Sequence, residues 1–254
     1  MKSRVFLPVA AAAMLLIAGC ASDKDELLPS DLTVAQLEAK MNAATDPQGI
    51  FAKSSSYIMR QEIREKQLLD DDIEQMVEVK YRRPDKFALI TYQDNKPASV
   101  FCTNGKRGWV ADCRSRRIIQ LNDRELNRML RLAQLGKPGG EGYSSVFKKV
   151  EIFRCINRHG EFYRLDCFAD EGASPITFYV GKDDFLLRRV KMTVEAGSNN
   201  FDYEAVITDY DWRFNVLIPM VTEIQQYGVQ QRSKVIYYQI DPVIPESDFL
   251  PPVF

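Results

Sequence analysis

The amino-acid sequence predicts a mainly β protein with a few helices, organised as one long antiparallel sheet. Three observations carry this. Val77, Val79 and Tyr81 alternate with Glu78, Lys80 and Arg82, the period of two that gives a strand one apolar and one polar face. Strand-like segments recur at short, even spacing from Val77 to Leu121 and again from Val146 to Asp241, broken by turns rich in Gly, Asn and Asp. Two stretches, Thr33 to Ala44 and Asn122 to Leu135, instead have an apolar stripe of helical period behind a capping-box spacing.

Taken in order, the chain opens on a leader. Lys2 and Arg4 precede an apolar run from Val5 to Ile17 that is short for a spanning helix, and small residues lead to Cys20. Ile17-Ala18-Gly19-Cys20 resembles the bacterial lipobox, which implies that Cys20 becomes the mature N-terminus and carries the lipid. The competing reading is an ordinary secretory leader. Ala21 in place of Asp implies, in sorting systems of this kind, delivery to the outer membrane. The expected organisation is therefore a leader over residues 1–19, a lipidated charged tether over 20–30, and a single domain over 31–254.

Within that domain Thr33 and Gln36 have capping-box spacing, and Val34, Leu37, Met41 and Ala44 form the apolar face of the first helix. Asp46-Pro47-Gln48-Gly49 stops it. Ile50 to Lys66 reads as a long first strand turning at Asp70-Asp71-Asp72, an acidic triplet without the ligand ladder of a calcium loop. Pro84 interrupts the next strand, and Phe87 to Tyr92 follows. Asn104-Gly105 predicts a type I′ hairpin between Ser99–Cys102 and Arg107–Ala111, and Arg116 to Leu121 adds a further strand. Leu126, Met129, Leu130 and Ala133 line the second helix, after which residues 136–142 read as a mobile loop. Strands follow at Val146–Asn157, Glu161–Phe168, Pro175–Val180, Phe185–Glu195, Asn200–Trp212, Val221–Tyr227 and Ser233–Asp241, and the Pro-rich tail from Pro242 lies extended over the body.

Composition and motifs narrow the function. With 254 residues, 45% hydrophobic and 27% charged, the chain can bury a substantial core. Its net charge of −1 has no polybasic footprint, so nucleic acid is not an expected partner. His159 is the only histidine and sits in a turn, leaving no material for His-dependent triads or His-rich zinc sites; no C-x-x-C and no phosphate loop occur. No enzyme activity, metal or cofactor is expected. Cys102, Cys113, Cys155 and Cys167 remain after the leader, and their positions around the hairpins fit local bridges poorly, leaving non-local bridges or free buried thiols.

The Arg83-Pro84-Asp85-Lys86-Phe87 corner, Asn104-Gly105-Lys106, Trp109 and Asp112 together resemble the LolA/LolB-like superfamily of periplasmic lipoprotein carriers and outer-membrane lipoprotein receptors. Ile176 to Val190 and Tyr210 to Pro219 resemble it less specifically, the latter as a tyrosine-containing strand leading into a Pro turn. The resemblance implies an unclosed antiparallel barrel, here of about 11 strands, covered by a helical lid that accommodates acyl chains of lipoproteins or lipids. Tyr81, Phe87, Leu89, Trp109, Phe178, Val190 and Met192 are the cavity candidates; Leu37, Met41, Leu126, Met129 and Leu130 are the lid candidates. The same apolar set equally describes an ordinary filled core. Arg83 matches the arginine that latches the lid in the carrier family, and its donors suit helix C-terminal carbonyls. The implied protein is a monomer on the periplasmic face of the outer membrane, anchored through Cys20 and able to meet a periplasmic carrier. The other readings are a sensor module on the same fold and a structural lipoprotein.

Overall fold

The structure, a computed structural model, describes residues 24–66, 73–123, 125–127, 130, 142–170, 172–196, 199–226 and 228–254. Its strands are β1 (Glu26–Pro29), β2 (Ser56–Lys66), β3 (Ile73–Arg82), β4 (Lys86–Gln93), β5 (Lys96–Thr103), β6 (Gly108–Asp112), β7 (Arg117–Gln120), β8 (Lys149–Asn157), β9 (Gly160–Phe168), β10 (Ile176–Gly181), β11 (Leu187–Ala196), β12 (Asn199–Arg213), β13 (Val216–Gln226) and β14 (Val229–Ile240). They form one antiparallel sheet in the order β1-β8-β9-β10-β11-β12-β13-β14-β2-β3-β4-β5-β6-β7. The sheet is not closed, as expected, with β1 and β7 at its edges. Among the described residues it has 14 strands, where about 11 were expected. One of them was unforeseen: Glu26–Pro29, read as tether, pairs with Phe153–Ile156 of β8, so the folded unit begins before residue 31.

Other expectations change locally. Ile50–Lys53 is a helical turn, α2, and not the start of a strand, because the buried Asp46 carboxylate accepts from the amides of Ile50 (2.7 Å) and Phe51 (2.8 Å). Tyr143–Val146, partly read as strand, is the short helix α3. The Asn104-Gly105 turn is not the two-residue type I′ form: it spans Asn104–Arg107, only Gly105 has positive φ, and the Asn104 side chain accepts from the amides of Lys106 and Arg107. Paired positive φ values occur instead at Asp94-Asn95 and Phe214-Asn215, the two-residue turns of β4–β5 and β12–β13. Pro219, read as a turn, lies inside β13 opposite Tyr210; β14 pairs with β13 only from Val221 on, so no ladder bond is lost on that side. The acidic triplet at 70–72, Met129 and the loop over 136–141 lie outside the described residues.

The sheet buries apolar side chains on both faces. Val77, Val79 and Tyr81 pack with Phe51 of α2, Tyr57, Val216 and Ile218. Leu37 of α1 (Val34–Thr45) and Phe147 pack with Tyr163, Leu165, Cys167, Phe178 and Val180. The register Val77–Gln61–Val235, then Ser233–Thr222, then Ile224–Ala205–Val190–Phe178, puts both clusters on one face, the one that carries the helices. Ala88, Val100, Cys102 and Ala111 point the other way, where Ile244 and Phe249 of the C-terminal segment cover them. Residues 242–254 thus lie over the body as expected, with a 3₁₀ turn at Glu246–Phe249.

Phe249 is fully buried and Val253 fully exposed. Phe249→Ala is expected to lower the unfolding free energy by about 3–5 kcal/mol in urea melts. Val253→Ala, its control in the same segment, should leave the midpoint in place.

Candidate functional site

The helix-bearing face is assembled from short-range devices. Thr33 caps α1 in a full capping box, its amide donating to Gln36 Oε1 (2.8 Å) and its hydroxyl accepting from the Gln36 amide (3.3 Å). That start aims Leu37 and Met41 at the β9–β10 cluster. Glu38, on the same helix, accepts the Tyr143 amide at 2.5 Å and ties α1 to α3. Next to α1, the left-handed Gly49 and the Asp46 cap turn the chain so that Phe51 enters the β2–β3 cluster.

Arg83 meets a helix end, but that of α2. Its guanidinium donates to the Phe51 carbonyl at 3.0 Å, and its amide to the Ser55 carbonyl at 2.8 Å. The Tyr81 hydroxyl donates to the Pro84 carbonyl across the corner (2.9 Å), whose Arg83–Pro84 bond is cis. The proline corner therefore holds the last turn before β2.

The structure divides the cavity candidates. Tyr81 is buried in a stack with Tyr57 (ring centroids 5.4 Å apart), which stacks in turn on Tyr238 (5.8 Å). Phe87 and Leu89 are half-buried beside them. Phe178 is buried against Tyr143 (4.9 Å) and Phe147 (6.2 Å), with Val190 half-buried on the same cluster. Met192 is half-buried, opposite Tyr203. Between the two clusters the floor carries the smaller side chains Ala205, Thr222, Ser233 and Val235 together with Gln61 and Ile224. Trp109 does not belong to this face: it pairs with Cys102 and packs in the cluster under Ile244 and Phe249. The alternation in β6 is out of step with its size, and Val110 takes the helix-side position opposite Phe101.

Of the lid candidates, Leu37 and Leu126 are buried, and Met41 and Leu130 are half-buried. Asn122 and Glu125 form the expected reciprocal cap (3.0 and 2.9 Å). Leu126 then sits against Gly108, where a Cβ would come within 2.9 Å of Leu121 Cδ1 and 3.1 Å of Leu126 Cδ1. Glycine is what lets that turn approach the sheet. Sequence reasoning passed over Phe51, Tyr57 and Tyr238. Burial pushes the Tyr57 and Tyr238 phenols up, and the Tyr238 hydroxyl is buried with no hydrogen-bond partner among the described residues. The Tyr57-Met59 alternation was a readable signal; the orphan hydroxyl was not.

No protein-family model and no curated protein matches the sequence. Solved structures do. A LolA superfamily protein from Nitrosomonas europaea superposes with a TM-score of 0.59 at 11% identity, over 87% of this chain and 98% of that one. The fold is LolA-like. A putative outer membrane lipoprotein-sorting protein domain from Vibrio parahaemolyticus matches with TM-score 0.56 at 11% identity (84% and 94% of the chains). A DUF1329 family protein from Desulfovibrio piger also gives 0.56, at 8% identity (85% and 95%).

At one edge of this LolA-like sheet a polar network holds β1. Asp25 accepts from the Tyr179 hydroxyl (2.6 Å), Arg164 (2.8 Å) and the Asn157 side-chain Nδ2 (2.9 Å). Arg164 also forks onto Asp166 with two bonds of 2.9 Å, and Thr177 donates to the same carboxylate at 2.7 Å. Burial raises the Asp25 pKa, but the bonds from Tyr179 and Asn157 and the charge of Arg164 outweigh it, so the group stays below the usual carboxylate range. Nearby Cys155 is a free, buried thiol pushed up to about 12 by desolvation; Cys102 reaches about 11 for the same reason. All four cysteines of the described residues are free, the second of the two alternatives that the spacing left.

A carboxylate whose folded pKa is depressed stabilises above its unfolded pKa and loses that contribution as pH falls through the folded value. Protection of the β1 amides in hydrogen exchange should therefore fall on acidification below about pH 4. In Asp25→Asn the β1 amides should exchange faster at neutral pH and the acid step should vanish. Unchanged protection would mean that the strand ladder alone holds β1.

Proposed function

We propose that the protein is a lipid-anchored, periplasm-facing carrier-type binding protein of the outer membrane, which holds acyl chains of lipoproteins or lipids between its helices and its sheet. The LolA-like fold carries the reading, together with what the solved neighbours are described as: a LolA superfamily protein and a putative lipoprotein-sorting domain. Cys20 supplies the anchor once residues 1–19 are removed, and a periplasmic carrier is the exchange partner. Acyl chains need a non-directional apolar surface, and the same face carries half-buried Phe87 and Leu89 at one end and half-buried Val190 beside Ala205 at the other. The orphan Tyr238 hydroxyl offers a donor to an ester carbonyl. Arg83 acts as a latch by holding the Phe51 carbonyl, so that α2 and the segment leading to it from α1 stay seated. Exchange requires capture and release, without bond-making.

A filled core is the competing reading, favoured by the Tyr57–Tyr81–Tyr238 stack, which occupies one end of the face with protein side chains.

Native mass spectrometry of a soluble form beginning at Ala21, with lipid extraction, separates the two. Carrier function predicts a stoichiometric acylated ligand, or uptake of a fluorescent fatty-acid probe by the emptied protein; neither is compatible with a filled core. Arg83→Leu should speed probe exchange and raise amide exchange in α2, and unchanged values of both would remove the latch. Tyr238→Phe should raise the stability of the emptied protein by about 1–3 kcal/mol, since it deletes an unsatisfied buried hydroxyl. It should also weaken retention of an ester-containing ligand. A destabilised Tyr238→Phe protein would show that the hydroxyl has a partner within the fold.

A further inference from the structure

The end of the β12–β13 hairpin continues beyond its pairing with the strands on either side. β11 pairs with β12 only as far as Val206, and β14 pairs with β13 only from Val221. From Ile207 to Arg213 and from Val216 to Met220 the two strands pair in a ladder with each other and with no third strand among the described residues. They form an arm that runs past the start of β11, while β14 diverges from it and continues along β2 to Ile240. One face of it is fixed up to the turn: Val216, which closes the turn opposite Arg213, and Ile218 are buried with Phe51, Tyr57 and Tyr81, and the Tyr210 hydroxyl donates to the Leu187 carbonyl at 2.5 Å. Its end is the tight turn at Phe214-Asn215, both residues in left-handed conformation.

That end carries two large aromatic side chains in water. Trp212 is 53% and Phe214 61% exposed, the two largest exposures of any aromatic side chain among the described residues. Both neighbours of Trp212 are charged and exposed, Asp211 and Arg213, and they pair with each other at 2.7 Å. A rigid tight turn that presents aromatic rings and costs nothing in the core is not explained by folding, since large apolar groups leave water wherever the fold permits.

We infer that the tip of the β12–β13 arm, Trp212 and Phe214, is a membrane-contact site that inserts into the interfacial layer of a lipid bilayer. The chemistry favours lipid over protein. Aromatic rings partition to the headgroup level while charges one residue away remain hydrated, which is the arrangement at this tip. Two side chains on a narrow turn offer far less than the roughly 600–1,000 Å² per partner that a stable protein contact buries. A bilayer requires no such area, because each ring is solvated on all sides by headgroups and upper acyl chains. The inference is independent of whether the helix-bearing face holds a ligand.

Tryptophan fluorescence reads this directly. The chain has two tryptophans, and Trp109 is packed with Ile244 and Phe249 on the sheet. In the full chain carrying Trp109→Phe, processed by the producing cell, Trp212 is the only reporter. Mixed with vesicles of phosphatidylethanolamine and phosphatidylglycerol, its emission should shift to the blue, and brominated acyl chains should quench it. Phe214→Asp in that background should cut the quenching by about threefold or more, because it places a charge in the interfacial layer. The thermal midpoint should not move, since the side chain touches no core. If Trp109→Phe does not fold, the unmodified chain gives the same reading over a constant unquenched background from Trp109. Solvent-like, unquenched emission with vesicles overturns the inference. So does a blue shift that appears only on adding an envelope protein extract, which would make the tip a protein contact.

Discussion

The pairing of β14 with β2 is the interaction on which this architecture depends. It joins a meander running from β8 to β14 with one running from β2 to β7, aligning Gln230–Ile240 with Lys66–Tyr57. These partners are far apart in sequence, so the seam is formed against a large loop-closure cost. Its register also decides what the protein can do. Val235 is aligned with Gln61, and Gln61 with Val77. Only in that register do the Phe51–Tyr81 cluster and the Leu37–Phe178 cluster share a face. A slip of one residue would send one cluster to the helices and the other away from them.

The opposite face solves a different problem. Glu78 lies there and is 3% exposed, in a strand whose polar positions would ordinarily meet water. Arg60 (2.5 Å) and Lys80 (3.1 Å) pair with it. Desolvation raises its pKa, but the bonds from these two cations prevail and the carboxyl stays below its ordinary value. A buried, unpaired carboxylate would be costly, so the cations are needed where they are. Lys80 then reaches Asp248 at 2.8 Å, Lys86 reaches Glu246 at 2.7 Å, and Arg82 donates to the Ile244 carbonyl at 2.8 Å. Lys80 thus both satisfies Glu78 and, with Lys86 and Arg82, positions the strap that covers Ala88 and Cys102. Sheet and strap have to be considered together.

The sequence made the sheet legible because its signals are local. Period-two alternation in β3, paired strands around short turns and the two capping boxes all act within a few residues, and all appear in the structure. What escaped was decided at longer range. Glu26–Pro29 has no strand pattern of its own and becomes one because β8 offers an edge and Asp25 is captured by Arg164 and Tyr179. Ile50–Lys53 has apolar residues that suit a strand, yet the Asp46 carboxylate caps it as a helix. Trp109 shows why size misleads: alternation assigned it a face, but only the position of Phe249 identifies which face that is. Arg83 was legible as a helix-end donor through resemblance, while the identity of the helix was not, because α2 itself was unreadable.

The arm and the Arg83–Phe51 contact proposed as a latch meet in one place. Val216 and Ile218, on the strand that leaves the tip of the arm, belong to the cluster that seats Phe51, and the Phe51 carbonyl is the group that Arg83 holds. Packed interiors transmit displacement because they have little free volume to absorb it. A force on Phe214 at the tip therefore acts through two buried side chains on the turn that closes the helix-bearing face. On the proposed reading, a carrier that keeps its ligand in water and releases it at a bilayer would have its membrane contact and its latch joined through this one apolar cluster.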